Sequence, residues 1–248
     1  MQANTIEEVI QELDNIINKA ETDNSRLGYF AALYRKVTVE IKKGIEDDVF
    51  EDGPRMERFD VIFANRYLKA YEQHQKGEHP SECWALAFAA TSSWRPLVSQ
   101  HLLLGINAHI NLDLGIAAAQ TSPGDELPAL ENDFNTINDI LGRLVGVVES
   151  DLAEVWPMFG IVIRALCGLD KKLIRFSMDK ARQFAWDFAV RLAPLDQAAQ
   201  QKEIDDVDPK VQLLGIVIWH PGVILSTINL MIRLCERGSV AQIIGYLK

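Results

Sequence analysis

The sequence predicts an all-α protein, a single-domain multi-helix bundle (residues 1–248) around a buried central helix at about residues 97–120. Three observations lead there. Apolar residues recur at three- and four-residue spacing along nearly every segment, which puts them on one face of a helix. Helix start and stop signals bound those segments. No run of alternating apolar and polar residues sits between hairpin turns, and no repeat of fixed period is visible.

The elements follow in order. Thr5-Ile6-Glu7-Glu8 reads as a capping box, in which a hydroxyl and a carboxylate satisfy free N–H groups. Ile6, Val9, Ile10, Leu13, Ile16 and Ile17 then form one apolar stripe. From about Ser25 to Ile45, the residues Leu27, Phe30, Tyr34, Val37 and Ile41 share a side, and Asp52-Gly53-Pro54 marks a surface loop. About Met56 to Gln75 sets Phe59, Ile62, Phe63, Tyr67 and Leu68 in register, and Lys76 to Pro80 ends that helix. Trp84 to Ala90 is a short apolar helix, and Pro96 opens the central one.

Thr121 to Pro128, rich in Ser, Pro, Gly and acid, reads as a loop, either a lid or a surface crossing. Helical spacing resumes with Phe134, Ile137, Leu141, Leu144 and Val148, and Pro157 breaks or restarts it. A helix over about Lys171 to Leu192 turns Phe176, Ala185, Trp186 and Ala189 inward. Asp208-Pro209 reads as a helix start, an Asp cap before a Pro at the first helical position. Gly215 to Trp219 is rich in β-branched residues, but its flanks favour helix. Val211 to Leu234 approaches membrane-span length, yet Gln212, His220-Pro221-Gly222, Ser226, Asn229 and Arg233 interrupt it. Two buried helices bent near Pro221, and no membrane span, are expected.

Composition narrows the function classes. The 248 residues are 48% hydrophobic and 24% charged, enough to fold around a substantial core. A net charge of -10 repels a phosphate backbone, so nucleic acid is not an expected partner. Cys83, Cys167 and Cys235 are a sparse, odd set in apolar surroundings and read as buried free thiols in a reducing compartment. Met1 to Glu12 has no basic stretch followed by an apolar one, so a secretory signal is not expected and the cytoplasm is. No Walker loop, no Gly-x-Gly-x-x-Gly and no Gly-x-Ser-x-Gly elbow occurs.

The chemistry-bearing residues concentrate on the central helix, where His101, Asn107, His109, Asn111 and Asp113 are embedded in aliphatics. At about 100° per residue, His101, Gly105, His109 and Asp113 fall on one stripe, with Asn107 and Asn111 on another side. Three readings stay open. The polar groups can knit neighbouring helices together. They can line a pocket that orients a small, largely apolar ligand. Or His109 and Asp113, one turn apart, can bind a divalent metal, with a further ligand from Asp60, Glu72, Asp133 or Asp179. Arg182, one turn before Trp186, is expected to pair with an inward carboxylate and is counted with the ligand-pocket residues.

Several strings together resemble a known family. They are Arg26-Leu-Gly-Tyr-Phe-Ala-Ala-Leu-Tyr34, Val37-Thr38, the segment Phe59 to Tyr71, Cys83-Trp84, Asp133-Phe-Asn-Thr-Ile-Asn138 and Arg182-Gln-Phe-Ala-Trp186. The most specific is His-x3-Gly-x-Asn-Ala-His-x-Asn-x-Asp-Leu, from His101 to Leu114. The chain resembles, over most of its length, the helical family known as Domain of Unknown Function 5995. The resemblance implies one helical domain and no established activity. It also implies that His101, Asn107, His109, Asn111 and Asp113 belong to whatever the family does. Besides the small-ligand binder, two alternatives stand: a metal-assisted hydrolase of small esters or phosphoesters, and a non-catalytic structural or interaction protein. In the hydrolase a metal would activate water while His101 or a second carboxylate moved protons.

Overall fold

The computed structural model describes residues 1–141, 144 and 171–248. The expectations for Val148, Pro157, Cys167 and the Phe176 side chain fall outside the described residues. Every regular element among the described residues is helical. Helices α1 (Ile6–Thr22), α2 (Gly28–Glu46) and α3 (Gly53–Lys76) pack on one another in sequence order. The short α4 (Glu82–Thr91) leads to α5 (Val98–Ala108), which runs through a π-helical turn, His109–Asp113, into α6 (Leu114–Thr121). This continuous stretch, Val98–Thr121, is the expected central helix. By length and composition it could cross a membrane, but 78% of its apolar window is buried inside the bundle.

Around it lie α3, α2 and α4 on one side, α7 (Lys171–Leu192) against α6, and α8 (Gln197–Trp219) against α4 and α5. Two short helices, α9 (Val223–Cys235) and α10 (Val240–Leu247), follow. The last of them docks back on α1 and α2, burying Val240, Ile243, Ile244 and Leu247.

Local signals explain most boundaries. Thr5 caps α1 by accepting from the Glu8 N–H, and Asp52 caps α3 by accepting from that of Arg55. At its far end α3 stops on Gly77, whose φ of 72° is the left-handed conformation that glycine adopts most readily. Asp133 adds a long-range cap: its carboxylate accepts from the Glu51 N–H at 2.6 Å and the Asp52 N–H at 3.2 Å, and pairs with Arg55 at 2.7 Å.

Four expectations are corrected. Asp208-Pro209 does not start a helix: Asp196 caps α8 through the Ala199 N–H, and Pro209 lies inside it. The reason is that Asp208 serves another helix, accepting from the Glu82 and Cys83 N–H groups at 2.5 and 3.0 Å at the start of α4. The stretch expected as a loop from Thr121 to Pro128 is half helical. After Ser122 and Pro123 it winds into a 3-10 helix, Gly124–Leu130, held to the end of α7 by Gly124 N–H donating to the Ala193 carbonyl at 2.9 Å. Its Leu127 and Leu130 are buried, so the segment is packed down rather than poised as a lid. The Val211 to Leu234 stretch does bend, by 63° between α8 and α9, but α9 buries none of its residues. Cys83 is buried as expected, whereas Cys235, at the end of that uncovered helix, is exposed.

Candidate functional site

The widened turn His109–Asp113 is where the central helix carries its most buried polar pair. The Leu114 N–H reaches back to the His109 carbonyl, five residues away, which defines the π-helical turn. His109 Nδ1 stands 3.2 Å from Asp113 Oδ2, which also accepts from the Trp84 indole N–H at 2.8 Å. Asp113 Oδ1 accepts from Arg66 Nε at 2.7 Å. Because an ionised carboxylate only accepts, the proton between the two side chains belongs to Nδ1, and Nε2 keeps a bare lone pair. That Nε2 is buried with no hydrogen-bond partner among the described residues.

Electrostatics agree with a neutral imidazole beside a charged carboxylate. Burial holds His109 below its ordinary value against the opposing pull of Asp113. Burial works to raise Asp113, but the Arg66 guanidinium, with His109 and Trp84, outweighs it and keeps the carboxylate below the usual range. Aromatic rings close the space around the imidazole: Phe63 stacks on it at 3.6 Å and Tyr34 meets it edge-on at 4.5 Å.

The other expected site residues lie elsewhere, so the six do not line one pocket. Asn107 donates to the Val211 carbonyl at 2.9 Å and Asn111 donates to Asn107 Oδ1 at 3.0 Å, which fastens the opposite side of the central helix to α8. The angular separation of about 100° per residue already places them there. Arg182 is buried, as expected, but its guanidinium donates to the Phe134 carbonyl and lies 4.3 Å over the Phe134 ring. Burial pushes it down to about 9. Among the described residues a carbonyl oxygen and a π face thus stand where the sequence suggested an inward carboxylate.

Among the described residues, no three His, Cys, Asp or Glu side chains gather where a metal could be held. Glu72 pairs with the N-terminus and Lys76, Asp133 caps α3, and Asp179 is exposed. Of the four suggested extra ligands, Asp60 and Asp133 are buried, and it is Asp60 whose charge is felt by Tyr34, the ring packed against His109.

His101 faces a different space. Both of its ring nitrogens are buried without a partner among the described residues, and burial, reinforced by the charges of Arg26 and Arg233, pushes it down to about 3. It borders a cleft with about 20 Å³ of free volume, walled by Arg26, Phe30, Tyr67, Trp84, Phe88 and Gly105. Arg26 donates from Nη1 to the Thr91 carbonyl at 3.2 Å, while its Nε and the Tyr67 hydroxyl are buried and unpaired among the described residues. Burial raises Tyr67 far above the ordinary phenol range, so it is a neutral donor.

Phe30 separates this cleft from the His109 cluster. A Cβ on Gly105 would fall 2.4 Å from the Phe30 ring, so this glycine admits a side chain of α2. Trp84 belongs to both places, since its N–H holds Asp113 while its ring walls the cleft. Spacing along the central helix could not show Arg26, Arg66, Tyr67 or Trp84 as its partners. The signal that did contain them was the set of strings Arg26 to Tyr34, Phe59 to Tyr71 and Cys83-Trp84.

A helical bundle that encloses a compact His–Asp cluster beside a narrow cleft is the class of protein these features define. The chain belongs to the family described as Family of unknown function (DUF5995), whose profile matches residues 6–221. No match was found among curated proteins or solved structures.

Proposed function

We propose that the protein binds a small molecule through a carboxylate, or a similar two-oxygen acceptor, in the cleft between Arg26, Tyr67, Trp84 and His101. One observation carries this reading: Arg26, Tyr67 and His101, which wall a single cleft, hold four buried polar atoms without partners among the described residues, Arg26 Nε, Tyr67 Oη and both His101 ring nitrogens. An unsatisfied buried donor costs about 1–3 kcal/mol, and a ligand that satisfies several of them recovers that cost on binding. Arg26, Tyr67 and a neutral His101 supply three N–H or O–H donors and one positive charge, which suits an anionic acceptor. About 20 Å³ of free volume takes one or two oxygen-sized atoms, and Phe30, Trp84 and Phe88 suit a short apolar remainder.

Binding is favoured over hydrolysis by the same chemistry. An imidazole pushed down to about 3 is a poor proton acceptor at neutral pH. His109 and Asp113, with Arg66 and Trp84, then act as the scaffold that fixes the Trp84 wall. Calorimetric titration with acetate, butyrate and benzoate tests the reading. Saturable binding of at least one, weakened tenfold or more in Arg26→Met and His101→Phe, is expected. Absence of binding by all three at about 10 mM, an affinity below roughly 3 kcal/mol, would overturn it.

A second reading has its own observation. With Nδ1 donating to Asp113, His109 presents the bare Nε2 that metal-bound histidines present, backed by the carboxylate that commonly stands behind them. Near-stoichiometric zinc or manganese in tag-free protein, lost in a folded His109→Ala variant, would carry that reading instead.

A further inference from the structure

We propose that two copies of this chain associate through the apolar face formed by α9 and the C-terminal half of α8. In α9 the residues Val223, Ile224, Thr227, Leu230, Met231 and Leu234 fall within about 120° of arc at 100° per residue. That is the width of stripe an ordinary helix turns toward a core. Here it is turned away from the chain's own core: Val223 is 85% exposed, Ile224 78%, Leu234 69% and Met231 65%. The side turned toward the bundle carries Ile228 and Ile232, each half-buried. In the adjoining α8, Leu213 and Val217 are each 61% exposed as well.

Area, charge and anchoring all favour a protein surface as the cover. The exposed apolar side chains on this face amount to on the order of 800 Å², about what each partner of a stable dimer contributes and more than the largest patch of an ordinary monomer. From Val211 to Leu234 there is no Asp, Glu or Lys, and the one charged side chain, Arg233, is turned inward. It donates to the Trp94 carbonyl at 2.8 Å and pairs with Glu236 at 2.8 Å, while Glu236 accepts from the Val98 N–H at 3.1 Å. The helix is therefore held in a fixed place by its polar edge while its apolar stripe stays uncovered.

Two chains of charge -10 can meet here without like charges facing each other. A twofold axis lets the same face serve both copies. A lipid surface fits less well. The 13 residues of α9 reach about 20 Å, short of the roughly 30 Å hydrocarbon core. The polar positions beside its stripe, Ser226 and Asn229, also lack the Lys and Arg that hold interfacial helices to headgroups.

The test is sedimentation equilibrium of the full chain without detergent, alongside Ile224→Glu, Met231→Glu and the off-stripe control Ser226→Glu, each checked for unchanged helical circular dichroism. The wild type and Ser226→Glu are expected near twice 27.9 kDa. Each stripe variant should raise the dimer dissociation constant about 100-fold or more, as loss of a central interface contact does. A wild type that stays at single mass at about 100 µM overturns the proposal. In that case, flotation with phosphatidylcholine vesicles identifies a lipid cover, and cross-links to residues 142–170 identify a cover from the chain itself. A dimer that survives both stripe substitutions overturns it as well.

Discussion

Asp113 joins two helices to the π-turn through one carboxylate, accepting from Arg66 of α3, Trp84 of α4 and His109. Asp113→Asn removes the charge that holds a guanidinium in place, and should cost about 3–5 kcal/mol in urea unfolding, the range for breaking a buried ion pair. The acid response has a definite sign at each group. Asp113 lies below its ordinary value of 3.8, so its contribution is present above that pH and is lost only as pH falls through the lower folded value. His101 falls from 6.5 to about 3, so the unfolded chain takes a proton that the folded one refuses, and stability declines as pH drops from about 6.5 toward 3. His101→Gln should flatten that decline, as read by thermal melts from pH 7 to 4. Asp60 runs the other way. Burial, helped by Glu57, raises it from 3.8 to about 7, so its folded-state cost grows as pH rises through that interval. Asp60→Asn is therefore expected to stabilise most at pH 8, with a gain that shrinks steadily toward pH 4. A gain that grows in acid would contradict the assignment.

Between elements, the central helix depends on close backbone approaches as much as on side chains. A Cβ on Gly115 would stand 2.6 Å from the Ala185 carbonyl oxygen of α7, and a main-chain atom cannot swing aside. Gly115→Ala gains about 1 kcal/mol in helix propensity but forces α6 and α7 apart, an overpacking cost of about 1–3 kcal/mol. A net fall in melting temperature of a few degrees is expected. Asp208→Ala should cost about 1–2 kcal/mol by uncapping α4, and the loss should appear in exchange rates of the Glu82 and Cys83 amides before those of α8. These elements also show which boundaries could be read beforehand. Thr5 caps a helix that begins at the next residue, so the sequence displays both signal and target, whereas Asp52-Gly53-Pro54, read as a surface loop, proves to be the cap and first turn of α3. Asp208 displays the same signal, but its target lies 126 residues away, and only folding brings them together.

Across the molecule, the helical class and the central helix could be read because periodicity is local, as the stripes of Ile6 to Ile17 and Phe59 to Leu68 show. The candidate site could be read only in part. His109 and Asp113 met as one turn of helix dictates, whereas Arg26, Arg66 and Trp84 reach them or their neighbour His101 from three other segments. The orientation of α9 could not be read at all, since an apolar stripe looks the same whether it faces its own core or a partner. That helix gives a molecule-wide prediction for hydrogen exchange. Amides of α9, with no buried residue, should exchange far faster in dilute protein than those of Val98–Thr121. Their protection should rise with protein concentration if the exposed face is covered by a second copy.

The π-turn makes the central helix sensitive to phase. One extra residue is accommodated between His109 and Leu114, so everything after it is set by a count as well as by side-chain identity. Removing Ile110 would let the turn rewind as α-helix with the following segment still in its present phase, whereas inserting a residue there would rotate that segment by about 100°. After such an insertion Gly115 would leave the Ala185 carbonyl, and bulkier neighbours would arrive there. A side chain in this turn can be exchanged at a local cost, but one added codon would misalign half the helix against its neighbours. The turn can therefore shed a residue more readily than it can take one up.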